Sequence, residues 1–179
     1  TQIAALTANK AHITACEKNK IRAEKLKYNI DKQGAICAYI MTKDARYIDD
    51  FFSFDQILLD APCSGSGTLN YNDANIEKYF NKKLIERSSE TQKTLLKKAI
   101  KLLKPGHEMV YSTCSILECE NEEIIKTITE NRQAKIVPIE FNGIDELPTL
   151  PTKIPGTLCI RPTGLYEGFF VAKIRKNKK

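Results

Sequence analysis

The sequence predicts an α/β protein, a sheet layered with helices, on three observations. Apolar residues fall alternately at helical and at strand spacing along the chain. Residues 56–59, Gln-Ile-Leu-Leu, form a short continuous run of the kind found in strands buried on both faces. That run and a later one each stop in a polar turn, and open α/β sheets carry their chemistry at the carboxyl ends of strands.

Each element follows from local pattern. Residues 1–9 are expected to be the end of a helix, since Ile3, Leu6 and the alanines make one short apolar face, and residues 12–16 read as a strand. A helix is predicted over 19–32, where Ala23, Leu26 and Ile30 lie on helical spacing and Gly34 supplies the stop. Residues 35–41 read as a second short strand. The strand at 56–59 ends in Asp60-Ala61-Pro62-Cys63-Ser64-Gly65-Ser66-Gly67. A long helix covers roughly 83–103, with Leu95, Leu96, Ala99, Ile100 and Leu103 as its buried stripe, and Pro105-Gly106 breaks it. Residues 108–112 give the next strand, which ends in Thr113-Cys114-Ser115, and a helix follows over 121–131. Residues 134–168 hold most of the prolines and read as loops with short strands, and 168–174 closes as a strand. Without repeats or low-complexity blocks, residues 1–179 read as a single domain.

At 179 residues and 42% apolar content the chain is long enough to bury a core of its own. No run approaches the roughly 18 apolar residues of a membrane span, and no charged segment leads into an apolar stretch at the start. Neither membrane insertion nor a signal peptide is expected, and the cytoplasm is the most economical compartment. The net charge of +6 suits a polyanion partner without requiring one, and the basic tail at 173–179 reads as a solvated end. None of the six cysteines forms a CxxC pair, and with two histidines in the chain no metal site is expected. The cysteines are read as free thiols, most of them core filler.

Cys63 and Cys114 stand apart, because each follows a predicted buried strand and sits in a turn. At the ends of consecutive strands of one sheet they should lie close together, as a two-thiol site. The pair DAPCSGSG and YSTCS, with Glu118, Asn121 and Glu122 just beyond, resembles motifs IV and VI of the RsmB/Nop2/Sun-type RNA cytosine-C5 methyltransferases. Lys43-Asp44-Ala45-Arg46 resembles the acidic turn of motif III, and Glu17 stands where the family has its motif II acid. Leu102-Leu103-Lys104-Pro105-Gly106 matches the element before motif VI, with His107 replacing the second glycine of the family's Pro-Gly-Gly turn. Arg161-Pro162 and Gly168-Phe169-Phe170-Val171-Ala172 resemble the terminal motif, so the likeness spans nearly the whole chain in order.

The resemblance implies a Rossmann-like class I fold that uses S-adenosyl-L-methionine to methylate carbon 5 of cytosine in RNA, ribosomal or transfer. It implies that Cys114 is the nucleophile and that Cys63 assists breakdown of the covalent intermediate. The residues by themselves leave the two thiols tied. It further implies that Asp60 contacts the donor end of the cofactor and the polar edge of the base. The alternative for Asp60 is a carboxylate capping the following turn. Glu17 would accept hydrogen bonds from the cofactor's ribose, against the alternative of a solvated acid at the start of a helix. Asp44 would meet the adenine edge, against a loop or N-cap role. Glu118, Asn121 and Glu122 are expected to shape and cap the following helix. His12 and His107 read as structural, and Lys97, Lys98, Lys101 and Lys104 as a solvated helix face.

Families of this kind place a glycine-rich loop between the first strand and first helix, and Thr1-Gln2-Ile3-Ala4-Ala5-Leu6 matches the helix just after it. The chain is therefore read as beginning beyond that loop and strand, and by itself it is expected not to bind the cofactor normally. Gly65-Ser66-Gly67 has no following lysine and is no phosphate loop. A competing reading is a non-catalytic RNA-binding or ribosome-assembly module that keeps the fold; retention of both thiols and Asp60 speaks against it. A thiol hydrolase fails because neither histidine lies in a recognisable base motif.

Overall fold

The computed structural model describes residues 1–70 and 72–178; Lys179, the end of the basic tail, lies outside the described residues. The chain divides into two compact units, Thr1–Asp49 and Asp50–Lys179. Among the described residues no helix is long and apolar enough to cross a membrane, and no group of three or more His, Cys, Asp or Glu side chains could hold a metal.

The first unit contains α1 (Gln2–Leu6), β1 (Ile13–Cys16), α2 (Lys20–Lys32) and β2 (Ala38–Met41). The two strands pair in parallel, Ile13 opposite Ala38 and Cys16 opposite Met41. The Asn19 side chain caps α2 by accepting from the Arg22 amide at 3.1 Å, satisfying one of the donors every helix start leaves open. Ala4, Ile30 and Ala35 form its small core. The second strand starts three residues later than the pattern predicts. Ala35 donates back to the Ile30 carbonyl and Ala38 to that of Ala35, so residues 35–37 complete a turn first.

The second unit holds β3 (Phe54–Asp60), α3 (Ile76–Tyr79), α4 (Lys82–Leu102), β4 (Leu103–Thr113) and α5 (Glu122–Thr129). Four strands follow: β5 (Ala134–Val137), β6 (Thr149–Leu150), β7 (Leu158–Ile160) and β8 (Phe169–Lys176). The six strands form one sheet ordered β3-β4-β8-β7-β6, with β5 beside β7 on the same edge of β8. Only the β3–β4 pair is parallel; the remaining pairs are antiparallel. Leu96, Ile100, Met109, Tyr111, Ile124, Ile128, Phe170 and Ile174 lead the core, where α4 and α5 cover the sheet.

Two expectations change here. The run 56–59 is not buried on both faces: Leu58 is 60% exposed. The long helix also ends sooner, and the next strand begins earlier, than Pro105-Gly106 suggests. Pro105 forces Lys104 away from helical geometry, so α4 stops at Leu102 and the chain turns extended at Leu103 (φ −74°, ψ 135°). Residues 104–107 are absorbed as a bulge, since Phe54 pairs with Leu103 but Gln56 already pairs with Glu108. Gly106 supplies the left-handed backbone the bulge needs (φ +79°).

The cysteines are less buried than expected. Only Cys159 is fully buried; Cys16 is exposed and the other four are intermediate. The lysine face of α4 is solvated only in part. Lys98 and Lys101 both reach Asp50, at 2.6 and 2.5 Å, and Lys104 reaches Asp55 at 2.7 Å. Two of the chain's own acids thus meet part of the charge of these three lysines.

Candidate active site

β3 and β4 run in parallel with Asp60 opposite Ser112, so the residues after each strand emerge side by side at one end of the sheet. Ala61 donates from its amide to the Ser112 carbonyl at 2.8 Å, and Gly67 to the Cys114 carbonyl at 3.0 Å. These bonds lay the Cys63 loop along the Cys114 turn, and the two sulfurs stand 3.1 Å apart. That is beyond a covalent disulfide of about 2.05 Å and within reach of an S–H···S hydrogen bond. The two-thiol site expected from the spacing is therefore assembled in this structure.

Burial pushes the Cys63 thiol up to about 12, and its hydrogen bond with Cys114 adds to the rise. The Gly65 amide at its sulfur acts in the opposite sense, and the nearby Glu120 carboxylate raises it further. Gly65 takes a left-handed conformation (φ +78°), which lets the loop curl tightly enough to aim that amide.

Both turns are heavily cross-braced. Ser66 and Ser115 share a hydroxyl–hydroxyl bond of 2.8 Å, and the Ile116 amide donates to the Ser66 hydroxyl at 3.0 Å. Gln92 on α4 donates from Nε2 to the Pro62 carbonyl at 2.9 Å. Gly168 donates to the Gly67 carbonyl at 2.8 Å, and a Cβ on Gly67 would fall 2.6 Å from the Gly168 carbonyl carbon, so this crossing demands glycine.

Asp60 is exposed and accepts from the Ser112 hydroxyl through Oδ1 at 3.0 Å. Its partner is on the neighbouring strand, so the turn-capping alternative is set aside and most of the carboxylate stays open. Asn121 departs from its expected capping role. It occupies the position before α5, yet its side chain bonds no helix amide. Its Oδ1 accepts from the Thr113 hydroxyl at 2.6 Å and its Nδ2 donates to the Ser115 carbonyl at 2.9 Å, spanning the Cys114 turn. Glu118 instead pairs with Lys153 at 2.6 Å, and Glu122 accepts from the Lys153 amide at 3.4 Å.

Sequence reasoning missed Glu120, which is fully buried. It accepts from the Ser64 amide at 2.7 Å and from the Ser64 hydroxyl at 2.6 Å. Its sequence signal is its position six residues after Cys114, between two acids that were noticed.

The first unit gathers Glu17 and Asp44 at the carboxyl end of its own parallel pair. Glu17 follows β1 and donates from its amide to the Met41 carbonyl at 3.1 Å; Asp44 lies just past β2. Glu17 takes one partner on each oxygen, the Asn19 amide at 2.8 Å and Arg22 at 2.9 Å. A carboxylate accepts about four hydrogen bonds, so it retains room for a diol. Asp44 is nearly saturated. It caps the 3₁₀ turn Ala45–Tyr47 through the Arg46 amide and takes three further contacts from the Arg46 guanidinium. That side-chain pairing leads the causes that hold its carboxyl down at about 2. The acceptors at this sheet end fit a nucleoside cofactor through Glu17, and through Asp44 only if Arg46 yields.

The model of the 16S rRNA methyltransferase RsmB/F family matches residues 1–175. The chain is 35% identical over 181 residues to the ribosomal RNA small subunit methyltransferase F of Vibrio parahaemolyticus, covering 99% of this chain and 37% of that protein. It is 34% identical over 183 residues to the protein of that name from Shewanella baltica, covering 98% of this chain and 37% of that one. The chain thus spans little more than a third of the curated relatives it matches. Among solved structures, NSun6 from Pyrococcus horikoshii with SFG superposes at a TM-score of 0.83 and 31% identity, over 99% of this chain and 44% of that one. The fold is the Rossmann-like α/β fold of class I methyltransferases, whose cofactor is S-adenosyl-L-methionine. The chain belongs to the 16S rRNA methyltransferase RsmB/F family.

Proposed function

We propose that the chain carries the two-thiol site of an S-adenosyl-L-methionine-dependent cytosine-C5 methyltransferase acting on ribosomal RNA, with transfer RNA as the second candidate substrate. The observation behind this reading is the 3.1 Å approach of the Cys63 and Cys114 sulfurs at the ends of adjacent parallel strands. The family match over residues 1–175 supports treating the whole chain as one catalytic domain, and the relatives' names support ribosomal RNA.

Carbon 5 of cytosine is a weak nucleophile until a sulfur adds to carbon 6. With a proton taken up at N3, that addition turns the ring into an enamine with electron density at carbon 5. We assign the addition to Cys114. The choice between the sulfurs follows the family likeness, and Cys63, raised to about 12, keeps its proton near neutral pH as the partner role requires. S-adenosyl-L-methionine, when bound, supplies the electrophilic methyl group. Loss of the carbon 5 proton to solvent, and return of the N3 proton to the departing Cys114 sulfur, restore the aromatic ring as the carbon–sulfur bond breaks. Cys63 keeps its proton and steadies that departing sulfur through its S–H···S hydrogen bond. Asp60 meets the polar edge of the base and the donor end of the cofactor, and Glu17 and Asp44 hold the nucleoside. The base must leave its stack to reach Cys114, so a single-stranded or flipped cytosine is the substrate.

The test is methylation of ribosomal RNA by the protein that carries this chain. Cys114→Ala is expected to abolish transfer, and Cys63→Ala to retain a covalent RNA–protein adduct on a denaturing gel. Normal turnover by Cys114→Ala would overturn the reading. RNA binding with no 5-methylcytosine in bisulfite mapping would favour a non-catalytic module.

A further inference from the structure

Glu120 is 0% exposed, and no cation pairs with it among the described residues. A buried carboxylate without a counter-ion carries a desolvation cost that only hydrogen bonds can offset. Among the described residues its donors come from one residue, Ser64, which contributes both its amide and its hydroxyl. Ser64 directly follows Cys63. The Glu120 backbone is fixed too, because the buried Tyr111 hydroxyl donates to its carbonyl at 2.7 Å. Cys63, Cys119 and Tyr111 are each raised in part by this nearby charge, and all three are acids that are neutral when protonated.

We propose that Glu120 is a positioning residue of the two-thiol site, its buried carboxylate clamping Ser64 so that Cys63 is held, as a thiol, against the Cys114 sulfur. The geometry gives the charge two tasks. Its two oxygens fix the loop after Cys63 at 2.7 and 2.6 Å. Its negative field opposes ionisation of Cys63 and favours the protonated partner needed when Cys114 leaves carbon 6. Glu120 touches no reacting atom; it acts through Ser64 and Cys63. The inference rests on the assignment of Cys63 and Cys114 above.

Glu120→Gln tests the field apart from the clamp, since an amide can accept from the Ser64 N–H and donate to its hydroxyl. In this variant, alkylation of Cys63 by iodoacetamide, followed by peptide mass spectrometry across pH, should move to lower pH. Glu120→Ala removes clamp and field together. Turnover should fall by about tenfold or more while KM for RNA changes little, and covalent RNA adduct should accumulate. Ser64→Ala should give a smaller effect in the same direction. A Cys63 alkylation profile for Glu120→Gln that coincides with the parent's overturns the proposal, as does Glu120→Ala without adduct build-up. Should Glu120→Ala fail to fold, Glu120→Gln and Ser64→Ala still decide. The alkylation readout needs no methyl transfer. An active Cys114→Ala therefore sinks the functional assignment, whereas an inactive one with an unmoved alkylation profile sinks only the role of Glu120.

Discussion

Asp44 and Asp60 are the same side chain, Asp60 closing β3 and Asp44 lying just past β2, and their neighbours give them different chemistry. Asp60 shares one hydroxyl bond and keeps open oxygens for a ligand. Asp44 is taken up by Arg46, which holds it near 2, below the ordinary 3.8. A carboxyl lowered by folding stabilises the native state above its unfolded value, and that contribution is lost as pH falls through the folded one. The Asp44 contribution should therefore persist at neutral pH and disappear between about pH 4 and 2. In Arg46→Ala, an NMR titration should return Asp44 toward 3.8; a value still near 2 would show that another group holds it. The same substitution frees Asp44 for an adenine edge, so cofactor affinity should be maintained or improve if Asp44 is the contact that matters. Sequence inspection picked out both acids, but could not distinguish an occupied carboxylate from an open one, because that depends on rotamers and partners.

At the scale of elements, the site is a pair of loops sewn together after two parallel strands. The crossing of Gly67 and Gly168 is the tightest stitch. An alanine at Gly168 would set its Cβ 2.6 Å from Ile116 Cγ2 and 2.7 Å from the Gly67 Cα, and backbone cannot give way as a flexible side chain does. Gly67→Ala and Gly168→Ala should each cost about 1–3 kcal/mol in urea unfolding and slow methyl transfer more than stability alone explains. Unchanged midpoints would mean that the crossing relaxes freely. Leu96, 0% exposed on α4, belongs to the packing beneath the loops, and Leu96→Ala should cost about 2–5 kcal/mol. Local pattern located α2, α4 and both cysteine turns within a few residues. It misplaced the α4–β4 junction, because Pro105 and Gly106 serve there as a bulge within paired strand.

Across the whole molecule, apolar burial is uneven. Among the described residues, the core of Asp50–Lys179 joins fifteen buried residues, whereas that of Thr1–Asp49 joins three. Local stability follows buried apolar contact, so amides of β1 and β2 should exchange hydrogen faster than those of β4 and β8. Equal protection in a hydrogen-exchange experiment would count against this division. By itself the sequence determined the α/β class, the family likeness and the two cysteine turns, because periodicity and short motifs are local properties of the chain. The tertiary structure decided that the Cys63 thiol is pushed up, which aspartate is already engaged, and that Glu120 grips the loop after Cys63. Burial, register and partner geometry set those outcomes, and they exist only once residues distant in sequence are packed together.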